Sequence, residues 1–120
     1  LLTQIGSAGY SVTKAAAVSF AEWLKITYGN KGIGVSCLCP QAVRTAMTAQ
    51  GAGVAGVDGM IEPEVAAADV LDAIEKERFL VTPHAEVLEY VSRKGNDRDR
   101  WISGMQRLQE RYEDWKPGDE

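Results

Sequence analysis

The chain has 120 residues, which suits one domain in the lower part of the usual size range. Its composition, 45% hydrophobic and 25% charged, is that of an ordinary globular protein, and its net charge of −4 with scattered positive residues argues against a nucleic-acid partner. No apolar run is long enough to span a membrane and no N-terminal signal is visible, so we expect no membrane partner and a cytoplasmic protein.

The first predicted element is a helix over residues 10–28. It is apolar around much of its circumference, which is more than the burial of one face requires. Either both sides of this helix pack inside the fold, or one side contacts a partner subunit. After a glycine-containing turn at 29–32, residues 33–39 form a continuous apolar run, typical of a strand that a parallel sheet buries on both faces.

The next segment contains a misleading glycine motif. Residues 51–56 match G-x-G-x-x-G, the pattern of a dinucleotide phosphate loop. That pattern is meaningful only where it follows a strand and opens a helix, and here it does neither. We therefore interpret residues 51–56 as part of a loop.

A β-α-β unit is predicted from the middle of the chain. Glu62, Pro63 and Glu64 begin a helix that continues to about residue 76, because proline and acidic residues suit the first turn. Residues 79–82 form a short strand that Pro83 ends. Strands 33–39 and 79–82, with the helix between them, are expected to be parallel.

Two more helices are predicted, over residues 85–94 and 97–116. The second is charged and amphipathic, and its apolar residues follow alternating steps of four and three: Trp101, Met105, Leu108, Tyr112 and Trp115. Two heptads are too few for a coiled coil. Packing on its own domain, docking on a neighbouring subunit and covering a substrate pocket remain open.

The two cysteines and the histidine are expected to have structural roles. Cys37 and Cys39 share a face of the strand, and we expect buried free thiols because a bridge would strain extended backbone. A Cys-x-Cys pair with one histidine is poor spacing for a metal, so no metal site is predicted. His84 is expected at the surface or at a helix cap, because spacing places no acid or nucleophile beside it.

Tyr10 and Lys14 are the strongest candidates for catalysis. Four residues apart on a helix, they lie on one face, one turn apart. An ammonium near a phenol favours the phenolate, so the pair could deliver and recover a proton. The spacing alone is weak, since Tyr and Lys four apart also occur on ordinary solvated helices.

The surroundings of the pair strengthen the interpretation. The chain reads Tyr-Ser-x-x-Lys-Ala-Ala-x-x-x-Phe from residue 10, Ile-Gly-Val-Ser-x-Leu-x-Pro from residue 33, and Val-Arg-Thr from residue 43. This order resembles the short-chain dehydrogenase/reductase family over residues 1 to about 82. The resemblance implies an α/β fold, with residues 1–120 forming the C-terminal part of a Rossmann-type doubly wound parallel sheet in a single NAD(P)-binding domain.

The resemblance also implies roles for individual residues. Tyr10 would be the general acid/base toward an alcohol or carbonyl oxygen, and Lys14 would stabilise its phenolate and hydrogen-bond the ribose of NAD or NADP. The stretch after the strand, with Pro40, Val43 and Thr45, would contact the nicotinamide. Gln41 stands where the family usually has glycine.

The same resemblance implies further features of the enzyme. Residues 46–62 would be a flexible loop that closes over substrate. Helix 10–28 would pair with its mate across a twofold axis, giving a homo-oligomer. The substrate-polarising serine and the glycine-rich phosphate loop of the family would both precede Leu1, so we expect the C-terminal half of an enzyme that is inactive alone.

The predicted function is hydride transfer between a nicotinamide cofactor and an alcohol or ketone. Two alternatives stay open. The chain could be an inactive truncated paralogue that serves as a structural or assembly piece. Related families that use Tyr-x-x-x-Lys also include epimerases and dehydratases.

Overall fold

Four α-helices, a 3-10 turn and two short strands make up the part of the chain that the computed structural model describes, residues 1–46, 56 and 58–113. In chain order the elements are α1 (Ala8–Tyr28), the 3-10 turn (Gly29–Lys31), β1 (Cys37–Leu38), α2 (Pro63–Glu75), β2 (Leu80–Val81), α3 (Glu86–Asn96) and α4 (Arg98–Arg111).

Helix α1 begins two residues earlier than predicted because Ser7 caps it. The Ser7 side chain accepts a hydrogen bond from the Tyr10 amide, which satisfies one of the free N–H groups of the first turn. None of the helix's residues is buried, and several large apolar side chains are exposed: Val12, Phe20, Trp23 and Ile26. The described residues therefore leave much of the predicted apolar surface of this helix exposed.

The sheet confirms the predicted parallel β-α-β unit. β1 and β2 are parallel, with Cys37 opposite Leu80 and Leu38 opposite Val81. The first strand is shorter than residues 33–39 because its partner supplies ladder acceptors only from Phe79 to Val81. The expectation that this strand is buried on both faces is wrong, since Leu38 is 42% exposed. The described residues give β1 one neighbouring strand, and burial of both faces needs layers on each side.

Helix α2 covers the sheet with small side chains. It starts at Pro63, as predicted, and its buried residues Ala66 and Ala73 allow close approach to β2. Val81 of β2 is the largest fully buried side chain of the described residues. The helix ends at Glu75 and Lys76 is its C-cap. The next residue, Glu77, is left-handed, and the Arg78 amide donates to the Ala73 carbonyl at 2.8 Å.

Helices α3 and α4 pack against each other around the Tyr90 and Trp101 rings, whose centroids are 6.2 Å apart. The two helices are separated at Asp97, whose side chain caps α4 by accepting from the Arg100 amide. Residues 114–116 of the predicted helix 97–116 lie outside the described residues, as does Trp115. No helix of the described part is long and apolar enough to cross a membrane.

Candidate active site

The first turn of α1 holds Tyr10 in place through two serines. The Ser7 hydroxyl accepts from the Tyr10 amide at 3.4 Å. The Ser11 hydroxyl donates to the Gln4 carbonyl at 2.9 Å and accepts from the Gln4 amide at 2.9 Å. The segment before the helix is thereby fixed against its first turn, which orients the residues that follow.

Tyr10 and Lys14 are in contact, as the spacing predicts. The Lys14 ammonium lies 5.6 Å from the centroid of the Tyr10 ring, and Tyr10 is 49% exposed. A cation at this distance over a tyrosine ring makes a favourable cation–π interaction. Both side chains are open to a ligand, so the phenol and the ammonium can act on the same bound molecule.

Lys14 lines a cleft of about 230 Å³, whose lining does not include Tyr10. Lys14 lines it from α1, and Lys94 lines it from α3, where its ammonium donates to the Leu1 carbonyl at 3.3 Å. Burial, and then the charge of Arg98, lowers the pKa of Lys94. The cleft is therefore lined by two lysines from two helices and by the acidic residue Glu22.

A second Tyr–Lys contact on the chain shows that contact alone does not define a site. The Lys31 ammonium lies 5.6 Å from the centroid of the Tyr28 ring, the same distance as in the Tyr10–Lys14 pair. This second pair stands at the far end of α1, outside the lining of the cleft. The two pairs differ because Lys14 lines the cleft, whereas Tyr28 and Lys31 do not.

The other predicted cofactor residues lie on a different part of the chain. Pro40, Val43 and Thr45 follow β1, with Pro40 and Thr45 exposed and Val43 half-buried. Among the described elements, α1 makes at most marginal contact with either strand. The structure thus brings Tyr10 and Lys14 together on α1. The three other predicted cofactor residues lie apart from them, on the segment that follows β1.

Backbone pairing with the entry to α2 fixes this segment. Val43 forms a parallel bridge with Ile61, the Arg44 amide donates to the Ile61 carbonyl at 2.8 Å, and the Ile61 amide donates to the Ala42 carbonyl at 3.1 Å. The Arg44 guanidinium also lies 2.6 Å from the Glu62 carboxylate. The start of the connection after β1 is consequently tied to its end before α2. Residues 47–55 and 57, most of the predicted substrate loop 46–62 and of the glycine motif 51–56, lie outside the described residues.

Of the two predicted positions for His84, the surface is wrong, whereas the residue does lie beside a helix start, where its carbonyl accepts from the Val87 amide at 3.1 Å. Its side chain is 3% exposed, and its ring nitrogens lie 3.1 Å from the Gln41 amide and 3.1 Å from the Gly59 carbonyl. Sequence reasoning missed it because its partners are distant in the chain. One signal was present: His84 and Gln41 both follow predicted parallel strands, whose carboxyl ends meet at one edge of a sheet.

A second contact holds the end of the connection between β1 and α2. The Tyr90 hydroxyl on α3 donates to Asp58 Oδ1 at 2.8 Å. This hydrogen bond, followed by burial and the Asp58 charge, raises the pKa of Tyr90. Asp58 Oδ2 is buried without a hydrogen-bond partner among the described residues.

The two cysteines are free thiols, as expected, but only half-buried. Their sulfur atoms lie 3.8 Å apart on one face of the strand region. Burial, followed by the neighbouring Cys37, raises the pKa of Cys39 to about 11. Within the described ranges no group of three or more metal-ligating side chains is found.

Comparison with known proteins shows similarity to oxidoreductases. Oxidoreductase UcpA of Escherichia coli (strain K12) is 31% identical to the chain over 103 residues, which are 86% of this chain and 37% of that protein. Oxidoreductase UcpA of Salmonella typhimurium has the same identity and coverage. The chain thus spans little more than a third of the length of these curated relatives. No protein-family model matches the chain, and no solved structure matches it.

Both of these relatives are named as oxidoreductases. The names of these relatives specify neither a cofactor nor a substrate.

Proposed function

We propose that the chain supplies the proton-transfer pair and part of the nicotinamide-binding surface of an NAD(P)-dependent oxidoreductase of the short-chain dehydrogenase/reductase family. Its substrate would be an alcohol or a ketone. The observation that carries the proposal is the contact between the exposed Tyr10 ring and the ammonium of Lys14, a residue that lines a cleft. The similarity to oxidoreductases supports it, and the parallel β-α-β unit suits the C-terminal part of a Rossmann-type sheet.

The side chains present fit a nicotinamide nucleotide in chemical type. The Lys14 ammonium offers three donors for ribose hydroxyls, and the Tyr10 hydroxyl both donates and accepts. Pro40, Val43 and Thr45 offer apolar contacts and one hydroxyl for the nicotinamide ring and its amide. When bound, the cofactor would supply or accept the hydride, and the protein would supply position and a proton.

The work of the protein in this proposal is proton transfer at the Tyr10 hydroxyl. In the reductive direction the phenol donates its proton to the carbonyl oxygen, which becomes the hydroxyl of the product. The Lys14 charge stabilises the phenolate that remains. General acid/base catalysis of this kind is worth about 10²–10⁴-fold in rate. The other parts of the cofactor site, a glycine-rich phosphate loop and a serine that polarises the substrate, would come from residues outside these 120.

Turnover by the natural polypeptide that carries these residues tests the proposal. Oxidation of NADH or NADPH would be followed by absorbance with a panel of aldehydes and ketones. We expect Tyr10→Phe to lower turnover by about 10²-fold or more while leaving cofactor affinity nearly unchanged. Lys14→Met should weaken both turnover and cofactor affinity, because Lys14 would contact ribose.

The chain contains its own matched controls. Tyr28 and Lys31 repeat the ring-to-ammonium distance of 5.6 Å outside the cleft. Tyr28→Phe and Lys31→Met should therefore leave turnover and cofactor affinity within about twofold of the wild type. Retained turnover in Tyr10→Phe, or equal losses in Tyr10→Phe and Tyr28→Phe, would refute the assignment.

A second candidate function, as a structural or assembly piece, is favoured by the exposed apolar side chains of α1. Phe20 and Trp23 stack with centroids 6.2 Å apart on a helix that has no buried residue. A helix of this kind suits pairing with a second copy of itself, so we propose a homo-oligomer formed through α1. Light scattering of the wild type and of Phe20→Lys separates the cases: assembly lost with turnover intact supports an enzyme that assembles, whereas assembly in a protein without turnover supports the structural role.

A further inference from the structure

His84 lies where the two parallel strands end. The sheet register places Cys37 opposite Leu80 and Leu38 opposite Val81. Continued in the same register, Gln41 falls opposite His84. The His84 side chain is 3% exposed. Within the described part of the chain, His84 is the polar residue that is buried. A polar ring is costly to bury unless its nitrogens are hydrogen-bonded.

Both ring nitrogens meet backbone groups, and these groups fix one tautomer. The Gln41 amide donates to Nδ1 at 3.1 Å, so Nδ1 carries a lone pair and no proton. Nε2 lies 3.1 Å from the Gly59 carbonyl oxygen, which can only accept. The ring is therefore neutral, with its proton on Nε2, and it donates to Gly59 while it accepts from Gln41.

These two bonds join the two ends of one connection. Gln41 begins the segment that follows β1, and Gly59 precedes the entry to α2. Gly59 has φ +91°, a left-handed conformation that residues other than glycine rarely adopt. This backbone conformation sets the direction of the Gly59 carbonyl. The ring thus holds a left-handed glycine at one end and the proposed cofactor-binding segment at the other.

We propose that His84 is a positioning residue: its neutral imidazole clamps the Gln41 amide to the Gly59 carbonyl and thereby sets the position of residues 40–45 toward the nicotinamide. Its effect on the cofactor rests on the proposed function, whereas the clamp itself is independent of any cofactor. Since the ring is buried with both nitrogens engaged, it takes no part in proton transfer to substrate.

The first test needs no substitution. The nitrogen chemical shifts of the His84 ring, measured by NMR on the 15N-labelled chain, distinguish a protonated from an unprotonated ring nitrogen. We expect an unprotonated Nδ1 and a protonated Nε2. The opposite tautomer, or a fast-exchanging mixture of the two, would overturn the clamp.

Two variants separate the two bonds. His84→Asn keeps an acceptor oxygen at about the position of Nδ1, and His84→Gln keeps a donor nitrogen at about the position of Nε2. Exchange of the Gln41 amide with solvent should be about tenfold faster in His84→Gln than in His84→Asn, as loss of one hydrogen bond implies. Equal exchange rates in two folded variants would overturn the clamp. If neither variant folds, the ring tautomer of the wild type still decides.

A cofactor measurement then tests the positioning role. In the natural polypeptide, His84→Gln should raise the KM for NADH or NADPH by about tenfold relative to His84→Asn, with kcat less affected. Faster exchange of the Gln41 amide in His84→Gln, together with an unchanged KM for NADH or NADPH, would overturn the positioning role. The absence of any turnover in the wild type refutes the proposed function instead, and the NMR result for the clamp would still stand.

Discussion

The contact between Tyr90 and Asp58 gives a stability prediction with a definite size. Tyr90→Phe removes a 2.8 Å hydrogen bond to a carboxylate whose second oxygen is buried without a partner among the described residues. Hydrogen bonds to charged groups contribute about 1.5–3 kcal/mol. Because the pair is only partly buried, we expect the free energy of unfolding to fall by about 1–2 kcal/mol, near the lower end of that range.

Urea unfolding followed by circular dichroism would measure this change. Tyr28→Phe is the control, since Tyr28 is exposed and its ring keeps its edge contact with Trp23. The control should change stability by less than about 0.5 kcal/mol, as surface substitutions usually do. Equal stabilities for Tyr90→Phe and Tyr28→Phe would refute the role of the hydrogen bond.

Alkaline pH provides a second readout of the same contact. The hydrogen bond to Asp58 raises the pKa of Tyr90 in the folded protein. A tyrosine whose pKa is higher in the folded than in the unfolded state stabilises the folded state fully below the ordinary pKa of about 10. This stabilisation is lost as pH rises through the higher, folded-state pKa. The stability gap between the wild type and Tyr90→Phe should therefore narrow above about pH 10. A constant gap would contradict the assigned cause.

Two further predictions concern the sheet. Val81 is 1% exposed, so Val81→Ala should cost about 2–3 kcal/mol of unfolding free energy from lost burial and a new cavity. Val12→Ala, at a position 68% exposed, should cost less than about 0.5 kcal/mol, and similar losses in urea unfolding would contradict this view of the core. Because the pKa of Cys39 is raised to about 11, only about one thiol in a thousand is ionised at pH 8. Iodoacetamide labelling followed by peptide mapping should show slow alkylation of Cys39, and a rate equal to that of a free cysteine would contradict the raised pKa.

Local signals predicted the helices well. The start of α2 at Pro63 and the break at Asp97 depend on residue types that act within one turn, so a sequence read without partners identifies them. Helix α1 starts two residues before the predicted position because Ser7 caps it. The Tyr10–Lys14 contact was likewise predictable from spacing, because i and i+4 share a helix face.

Long-range contacts account for what the sequence did not reveal. The length of β1 depends on how many ladder acceptors β2 offers, and the exposure of Leu38 depends on which layers cover the sheet. The burial of His84 depends on Gln41 and Gly59, which are 43 and 25 residues away. The register of two parallel strands could have suggested the first of these contacts, whereas nothing in the local sequence indicates the second.

The rate of hydride transfer in a single turnover tests the central claim most directly. The natural polypeptide that carries these residues, saturated with NADPH or NADH, would be mixed with a carbonyl substrate, and the decay of reduced nicotinamide would be followed for the wild type, Tyr10→Phe and Tyr28→Phe. We predict a loss of about 10²-fold or more in Tyr10→Phe alone, with cofactor binding retained. Transfer at the wild-type rate in Tyr10→Phe would contradict the assignment of Tyr10 as the proton donor.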